Sequence, residues 1–305
     1  MSSVELRTPT LDDVAELVRL GAELEERVGA GGMSEAQVRQ WLTSTRLPAD
    51  ENHRIAIVEG HVAGWVGCWY PEEGSDRIFF NAGADPSATD VLELLVEWGE
   101  GRARRFANGR RVRVHAGAPE RNPALAEILR RHGFELVRHF FRMELDLTDE
   151  LPQPVWPEGI AVRRFRPGEE RAVWQADSEA FEDHWDSFVV PFEEWKEYFF
   201  GSSEFDPTLW FIAEAGDEIA GIALCWNERR PSTGHVNAVG VRRPWRRRGI
   251  ATALLLHSFH EFRRRGRTRV DLNVDADSLT GAVALYERVG MRVVHRDDTY
   301  RKEIA

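Results

Sequence analysis

The run Val236-Asn237-Ala238-Val239-Gly240-Val241-Arg242-Arg243-Pro244-Trp245-Arg246-Arg247-Arg248-Gly249-Ile250-Ala251 carries the residue types of an anion site. A β-branched strand enters a loop with five arginines between positions 242 and 248, passes Gly249, and opens a helix near Thr252. The first-turn amides of a helix have no internal partners, and the macrodipole places positive charge on them. A pyrophosphate can rest there, with Gly249 and Ala251 small enough to let it approach. The run lacks the Lys-Ser/Thr ending of a P-loop and the third glycine of a dinucleotide fingerprint. Arginines alone would serve a solvated patch or a nucleic-acid contact equally well. Strand, glycine turn and apolar helix in that order favour phosphate.

Composition narrows the partner. The chain has 305 residues and a formal net charge of -11, with a pI near 5.5, so most of its surface repels a polyanion and no nucleic-acid partner is expected. Hydrophobic content of 42% and aromatic content of 10% are those of a globular protein. No apolar run approaches the roughly eighteen residues of a membrane span, so no membrane partner is expected. The start, Met1-Ser2-Ser3-Val4-Glu5-Leu6-Arg7, has no apolar signal segment, and a cytoplasmic location is expected. The expected assembly is a monomer or homodimer.

The elements that must position the loop occur twice. Ile57-Val58-Glu59-Gly60-His61-Val62-Ala63-Gly64-Trp65-Val66-Gly67-Cys68-Trp69 reads like Ile212-Ala213-Glu214-Ala215-Gly216-Asp217-Glu218-Ile219-Ala220-Gly221-Ile222-Ala223-Leu224-Cys225-Trp226, each a hairpin pattern. Cys68 and Cys225 stand 157 positions apart, and Leu129-Arg130-Arg131-His132-Gly133-Phe134 matches Tyr286-Glu287-Arg288-Val289-Gly290-Met291 at that offset. The reading is a duplicated α/β domain, residues 1–150 and 159–305, joined by a Pro-rich linker at 151–158. In the second copy, helices are predicted at 169–180, 192–200, 252–265 and 280–289, the last capped by Ser278. Strands are predicted at 160–166, 209–215, 218–227, 235–241 and 269–274. Residues 291–294 and 299–304 are read as a closing pair of strands. Gly266 and Gly290 are helix stops, and Arg263, Arg264 and Arg265 suit the negative end of a helix dipole. The two cysteines, at equivalent core positions, read as small apolar fillers rather than a disulfide or a nucleophile.

Arg246-x-x-Gly249-x-Ala251 at a strand-to-helix turn resembles the Arg/Gln-x-x-Gly-x-Gly/Ala signature of the GNAT superfamily of N-acetyltransferases. About thirty residues on, Ala282-Val283-Ala284-Leu285-Tyr286-Glu287-Arg288-Val289-Gly290-Met291 is similar to that superfamily's second hallmark. The resemblance covers 160–305 and, without its chemistry, much of 4–147. It implies an α/β fold of two tandem domains. Each would be a mixed, mostly antiparallel sheet, splayed between its fourth and fifth strands and flanked by helices. Implied too are acetyl-CoA as co-substrate, direct acetyl transfer to a small-molecule primary amine, and no metal. The acyl-CoA contacts would be Val239, Val241, Arg246, Arg247, Arg248, Gly249, Ile250, Ala251, Thr252, Ser278 and Tyr286. The Val239 N–H would face the thioester oxygen, and the strand end at 239–241 would pair with the pantetheine arm.

Tyr286 is then the proton donor to the departing thiolate, its ordinary pKa near 10 lying above that of a thiol; packing on the sheet is its plain structural role. An amine with a pKa near 10 must be neutralised at a cost of about 4 kcal/mol at neutral pH. His235, on the strand where some relatives place a glutamate, is the candidate base, although strand histidines are commonly structural. Glu182, His184, Trp185 and Asp186 are candidate contacts to a cationic or aromatic amine, against the reading of an acidic helix end. Asp275 and Asp277 read as turn and cap residues rather than metal ligands. Ser278 stands where relatives often carry an asparagine.

The first copy presents Asn81-Ala82-Gly83-Ala84-Asp85-Pro86-Ser87-Ala88-Thr89-Asp90 where the glycine loop belongs, and Leu129 at the Tyr286 position. It is expected not to catalyse. The alternatives are acetylation of a cysteinyl amine and, in another class, a non-catalytic acyl-CoA sensor.

Overall fold

The structure, a computed structural model, describes residues 3–148, 150–202, 204–278 and 281–305, and of Arg229 only the backbone. The two repeats follow one order of elements, except that the first has an additional short helix between its second helix and its second strand. The first comprises β1 (Glu5–Arg7), α1 (Val14–Val28), α2 (Glu35–Thr43), α3 (Ala49–Asn52), β2 (His53–Val58), β3 (His61–Trp69), β4 (Arg77–Ala84), α4 (Thr89–Ala107), β5 (Val112–Pro119), α5 (Pro123–Arg131) and β6 (Glu135–Asp146). The second comprises β7 (Ala161–Arg164), α6 (Glu170–Phe181), α7 (Phe192–Phe200), β8 (Trp210–Ala215), β9 (Glu218–Arg230), β10 (Thr233–Val241), α8 (Ile250–Arg264), β11 (Arg269–Asp275), α9 (Ala282–Arg288) and β12 (Arg292–Ile304). Among the described residues no helix is long and apolar enough to cross a membrane.

The compact units do not coincide with the sequence repeats. One unit is Met1–Phe140 with His295–Ala305, and the other is Phe141–Val294. The division thus falls inside β6 and β12, not at the proline segment, where 151–157 has no regular structure. Within the first unit the strand order is β1-β2-β3-β4-β5-β12, and within the second β6-β11-β10-β9-β8-β7. In each sheet the parallel pair, β4–β5 or β10–β11, lies beside antiparallel neighbours. This is the mixed, mostly antiparallel sheet that the motifs imply.

β12 corrects an expectation. Residues 291–294 and 299–304 were read as two short strands, which leaves Asp297 and Asp298 between them. They lie inside one strand of 13 residues, where Asp297 faces Pro119 and Asp298 faces Ala118 of β5. The Asp298 carboxylate is buried in the strand and lies 2.7 Å from His139 Nδ1, a partner that offsets the cost of taking it out of water.

In the second unit α8 packs on one sheet face and α6 with α7 on the other. The α8 side buries Leu254, Phe259 and Phe262 with Cys225, Val236 and Val270; each fully buried side chain of this size contributes roughly 1.5–3 kcal/mol. The α6–α7 side buries Val173, Trp195 and Phe199 against Trp210, Ile222 and Leu224. A Cβ on Gly240 would come within 2.6 Å of the Ala180 Cβ, so glycine lets α6 lie directly on β10. Helix α8 stops at Gly266 with φ +76°, as expected of a glycine stop.

Candidate active site

The edge of β10 is open where chemistry needs it. The Arg242 N–H donates to Ala220 O at 3.0 Å, while Val241, Gly240 and Val239 face Gly221, Ile222 and Ala223. Antiparallel pairs alternate between bonded and non-bonded. Gly240 therefore exchanges bonds with β9, and Val239 and Val241 turn their N–H and C=O away, toward the β11 side. There the parallel register ends at His235↔Asp271. A register shift between Val236 and Ala238 leaves Asn237 as the extra residue of a bulge, which bends the strand further. The backbone of Val239 thus faces the gap of a splayed sheet.

The turn into α8 leaves the helix start uncapped by any side chain. Gly249 is its N-cap at φ +88°, with no acidic residue in the first turn. Arg247 also adopts a positive φ, +61°. No heavy atom lies within 4 Å of a Cβ built on Gly249. Glycine suits the left-handed backbone there, and no side chain caps the first-turn amides that follow.

The arginines divide into two groups. Arg242 bonds Glu179, and Arg243 bonds Glu182 and Asp183. Arg246 reaches Asp183 at 2.6 Å, Val241 O at 3.0 Å and Ala180 O at 3.2 Å. These three rivet the loop to the end of α6. Asp183 is pushed down to about 2 by hydrogen bonds from Arg243 and Arg246. Among the described residues, Arg247 is exposed and makes no side-chain hydrogen bond or ion pair, and Arg248 bonds Glu158 O, at 3.2 Å. Arg247 and Arg248 thus point charge into solvent at the turn, whereas Arg246, expected as a cofactor contact, bonds Asp183, Val241 O and Ala180 O.

Tyr286 lies in α9, 7% exposed, and burial pushes its phenol up to about 12. His235 is 2% exposed and its Nδ1 lies 2.6 Å from Oδ1 of Asp271, itself fully buried. The imidazole stacks on Trp226 at 5.6 Å and 24°. Arg230 bonds the other carboxylate oxygen. Burial pushes Asp271 up, but the His235 hydrogen bond and the charges of His235, Arg230 and Arg142 hold it below the ordinary carboxylate range. Asp271 and Arg230 were missed by sequence reasoning. The available signal was an aspartate set between Val270 and Leu272 in an apolar strand, where a charge is costly unless paired.

The expected acceptor residues separate. Glu182 is taken up by Arg243. His184 sits in the turn after α6, its ring 4.6 Å from Phe181, and burial lowers its pKa. Trp185 and Asp186 occupy the same turn, partly exposed, with Asp186 at φ +52°. Ser278 does not cap α9: Gly281 is the N-cap, at φ +71°, and Ser278 accepts the Gly281 N–H through its carbonyl at 3.1 Å. Thr280, the expected first helical residue, lies outside the described residues. The Asp275 side chain accepts the Asp277 N–H at 3.1 Å, a turn role as expected. Cys68 and Cys225 are free and buried, and burial pushes both thiols up to about 12. Among the described residues no group of three or more His, Cys, Asp or Glu is placed to hold a metal ion.

Comparison with known proteins gives a consistent likeness. Residues 172–291 match the "Acetyltransferase (GNAT) family" model, and residues 3–135 match an "Acetyltransferase (GNAT) domain" model. A mycothiol acetyltransferase of Streptomyces bingchenggensis is 33% identical over 97% of this chain and 94% of its own length. One of Parafrankia sp. is 27% identical over 97% of both chains. The solved GCN5-related N-acetyltransferase from Sphaerobacter thermophilus superposes with a TM-score of 0.81 at 32% identity, covering 98% of this chain and 95% of that one. A tandem GNAT protein of the clavulanic acid pathway shares the fold, with a TM-score of 0.73 at 16% identity over 99% of this chain and 98% of that one.

Proposed function

Because the chain belongs to the GNAT family of acetyltransferases and carries two such domains in tandem, we propose that it moves acetyl from acetyl-CoA to the primary amine of a small molecule, at a single site in the unit Phe141–Val294. The enzyme is an N-acetyltransferase.

The observation that carries the assignment is the uncapped, glycine-turned start of α8 beside the open edge of β10. Amides of Arg247 to Thr252 would hold the pyrophosphate, with Arg247 and Arg248 supplying charge. The Val239 and Val241 backbone would pair with the amide-bearing arm of CoA as an added strand does. The Val239 N–H would face the oxygen that becomes negative as the amine attacks the thioester carbon. His235 would take the proton leaving the amine. Tyr286, protonated throughout the working range because burial holds it at about 12, would give its proton to the departing thiolate. The products are amide and thiol, and the two side chains return to their starting states by exchanging a proton through solvent.

A second reading, acetylation of a cysteinyl amine, is favoured by the full-length match to mycothiol acetyltransferases. The test is thiol release from acetyl-CoA with spermidine, glucosamine, a dipeptide and 2-(L-cysteinylamino)-2-deoxy-D-glucose. Turnover with any of them supports the general reading, and selectivity for the last supports the second. Acetyl-CoA binding without turnover on the whole panel would favour an acyl-CoA sensor instead.

A further inference from the structure

We propose that Asp271, clamped by Arg230, is the positioning residue that makes His235 the proton acceptor of this unit. The proposal rests on the acetyltransferase reading above and adds what sets the base in place. His235↔Asp271 is the last register pair before β10 and β11 part, so the dyad stands at the fork of the splay, on the strand that carries Val239. An ionised carboxylate only accepts hydrogen bonds. With its Oδ1 at 2.6 Å, Nδ1 must carry the proton, and the basic lone pair belongs to Nε2. The Trp226 ring, stacked at 5.6 Å, fixes the plane of the imidazole.

The surroundings favour an imidazolium once it forms. Asp271 faces His235 from β11 and Arg230 bonds Asp271 from β9. Arg142 of β6, with Glu144 3.7 Å away, contributes positive charge near the carboxylate. From α7 the neutral Tyr198 packs on Trp226 at 5.7 Å. Removing one member of such a buried row leaves an unpaired charge, so the row is costly unless complete.

The first repeat supplies an internal control. There the equivalent register pair is Phe79↔His115, and Trp69 takes the place of Trp226. Trp69 and Phe79 stack at 4.0 Å and 6°, and Phe79 and His115 at 4.8 Å and 19°. A stack of rings completes the same point of the sheet, so the fold does not require a buried Arg–Asp–His row. In the first repeat the parallel strands also stay paired for two further positions, Phe80↔Ala116 and Asn81↔Gly117, while in the second they open at the dyad.

The test uses the full chain with 15N-labelled histidine, His235 being assigned by the signal lost in His235→Gln. Expected is an Nδ1-protonated tautomer with a lone-pair Nε2 resonance, turning into a tautomer mixture in Asp271→Asn. In thiol-release assays with the best amine of the panel, Asp271→Asn should lower kcat at least tenfold. It should also move the acid limb of kcat/KM down by about one pH unit, and leave the acetyl-CoA KM within twofold; Asp271→Glu should restore part of the rate. An unchanged tautomer and an unchanged acid limb in Asp271→Asn would overturn the proposal. Should that variant not fold, Arg230→Gln must move both readouts in the same direction by a smaller amount, and its silence overturns the proposal too. A wild-type chain that neither binds acetyl-CoA nor releases thiol would refute the acetyltransferase site in this unit, while the tautomer still decides whether the dyad is set as described.

Discussion

The two repeats share an order of elements and a parallel pair at the centre of the sheet, yet differ at each point where chemistry would occur. Before α8 stands Gly249 with a bare first turn. Before α4 stands Asp85, whose Oδ1 accepts the Ser87 N–H at 2.9 Å and the Ser87 hydroxyl at 2.6 Å, and whose other oxygen is paired with Arg27. A carboxylate thus sits in the loop leading into α4, and Asp90 adds a second negative group in the first turn. Where α9 carries Tyr286, α5 carries the fully buried Leu129. The framework depends on apolar periodicity, which both copies keep. The proposed function depends on a few polar positions and one left-handed turn, which can be lost without disturbing the core.

The sharpest way to break this comparison is to block each helix start in turn. Gly249→Glu forces a side chain onto a backbone at φ +88° and points a carboxylate at the anion site. Acetyl-CoA affinity should fall at least a hundredfold, roughly 2.7 kcal/mol, and the ligand-induced rise in melting temperature should vanish. Ala88→Glu at the N-cap of α4 should leave that rise intact. Calorimetry on both variants decides it: loss of binding in the second would move the cofactor site to the first unit.

Tyr286→Phe comes next. It removes one hydroxyl from a packed helix, so the fold and the acetyl-CoA Kd should be unchanged while kcat drops about a hundredfold. The raised phenol pKa gives the pH dependence its sign. A group at about 12 stays protonated as pH rises through 10, so wild-type kcat should show no descending limb from this residue below about pH 11. Equal loss of binding and turnover would return Tyr286 to a packing role.

What could be read in advance follows from how far each signal reaches along the chain. The Gly249 turn, the α9 motif and the repeat are local patterns, and they stood where expected. The loop-holding bonds of Arg246 were not legible because its partners are distant, Asp183 and Ala180 O lying more than sixty residues away, and the expected Ser278 cap gave way to Gly281. Asp271 gains meaning only from the register that sets it against His235. The exchange of β12 between sequence repeat and compact unit leaves no local mark either, because a strand pattern does not name its neighbour.

The arginines offer a graded test of the same contrast. Arg247→Ala and Arg248→Ala each remove a charge with little structural duty, so acetyl-CoA Kd should rise three- to tenfold each, and more steeply at low salt. Neither should alter kcat at saturating acetyl-CoA. A larger effect from Arg246→Ala, accompanied by a lower melting temperature, would mark loop positioning rather than phosphate contact.

The smallest effect should come from exchanging the two aspartates that hold these turns, Asp183→Asn and Asp85→Asn. Asp183 draws Arg243 and Arg246 onto the end of α6, whereas Asp85 holds its own turn through Ser87. At neutral pH only Asp183→Asn should weaken acetyl-CoA, by a few-fold, since only that loop faces the ligand. In acid the sign is fixed by the depressed pKa: a carboxyl at about 2 in the fold against 3.8 as a free group contributes stability above pH 4 and loses it as pH falls toward 2. The wild-type melting temperature should therefore decline between pH 4 and 2 more steeply than that of Asp183→Asn. Parallel curves for the two proteins would show that these surface ion pairs, exposed to water and salt, contribute nothing measurable to stability. The loop would then owe its shape to Gly249, the carbonyl bonds of Arg246 and the Arg242–Glu179 pair rather than to Asp183.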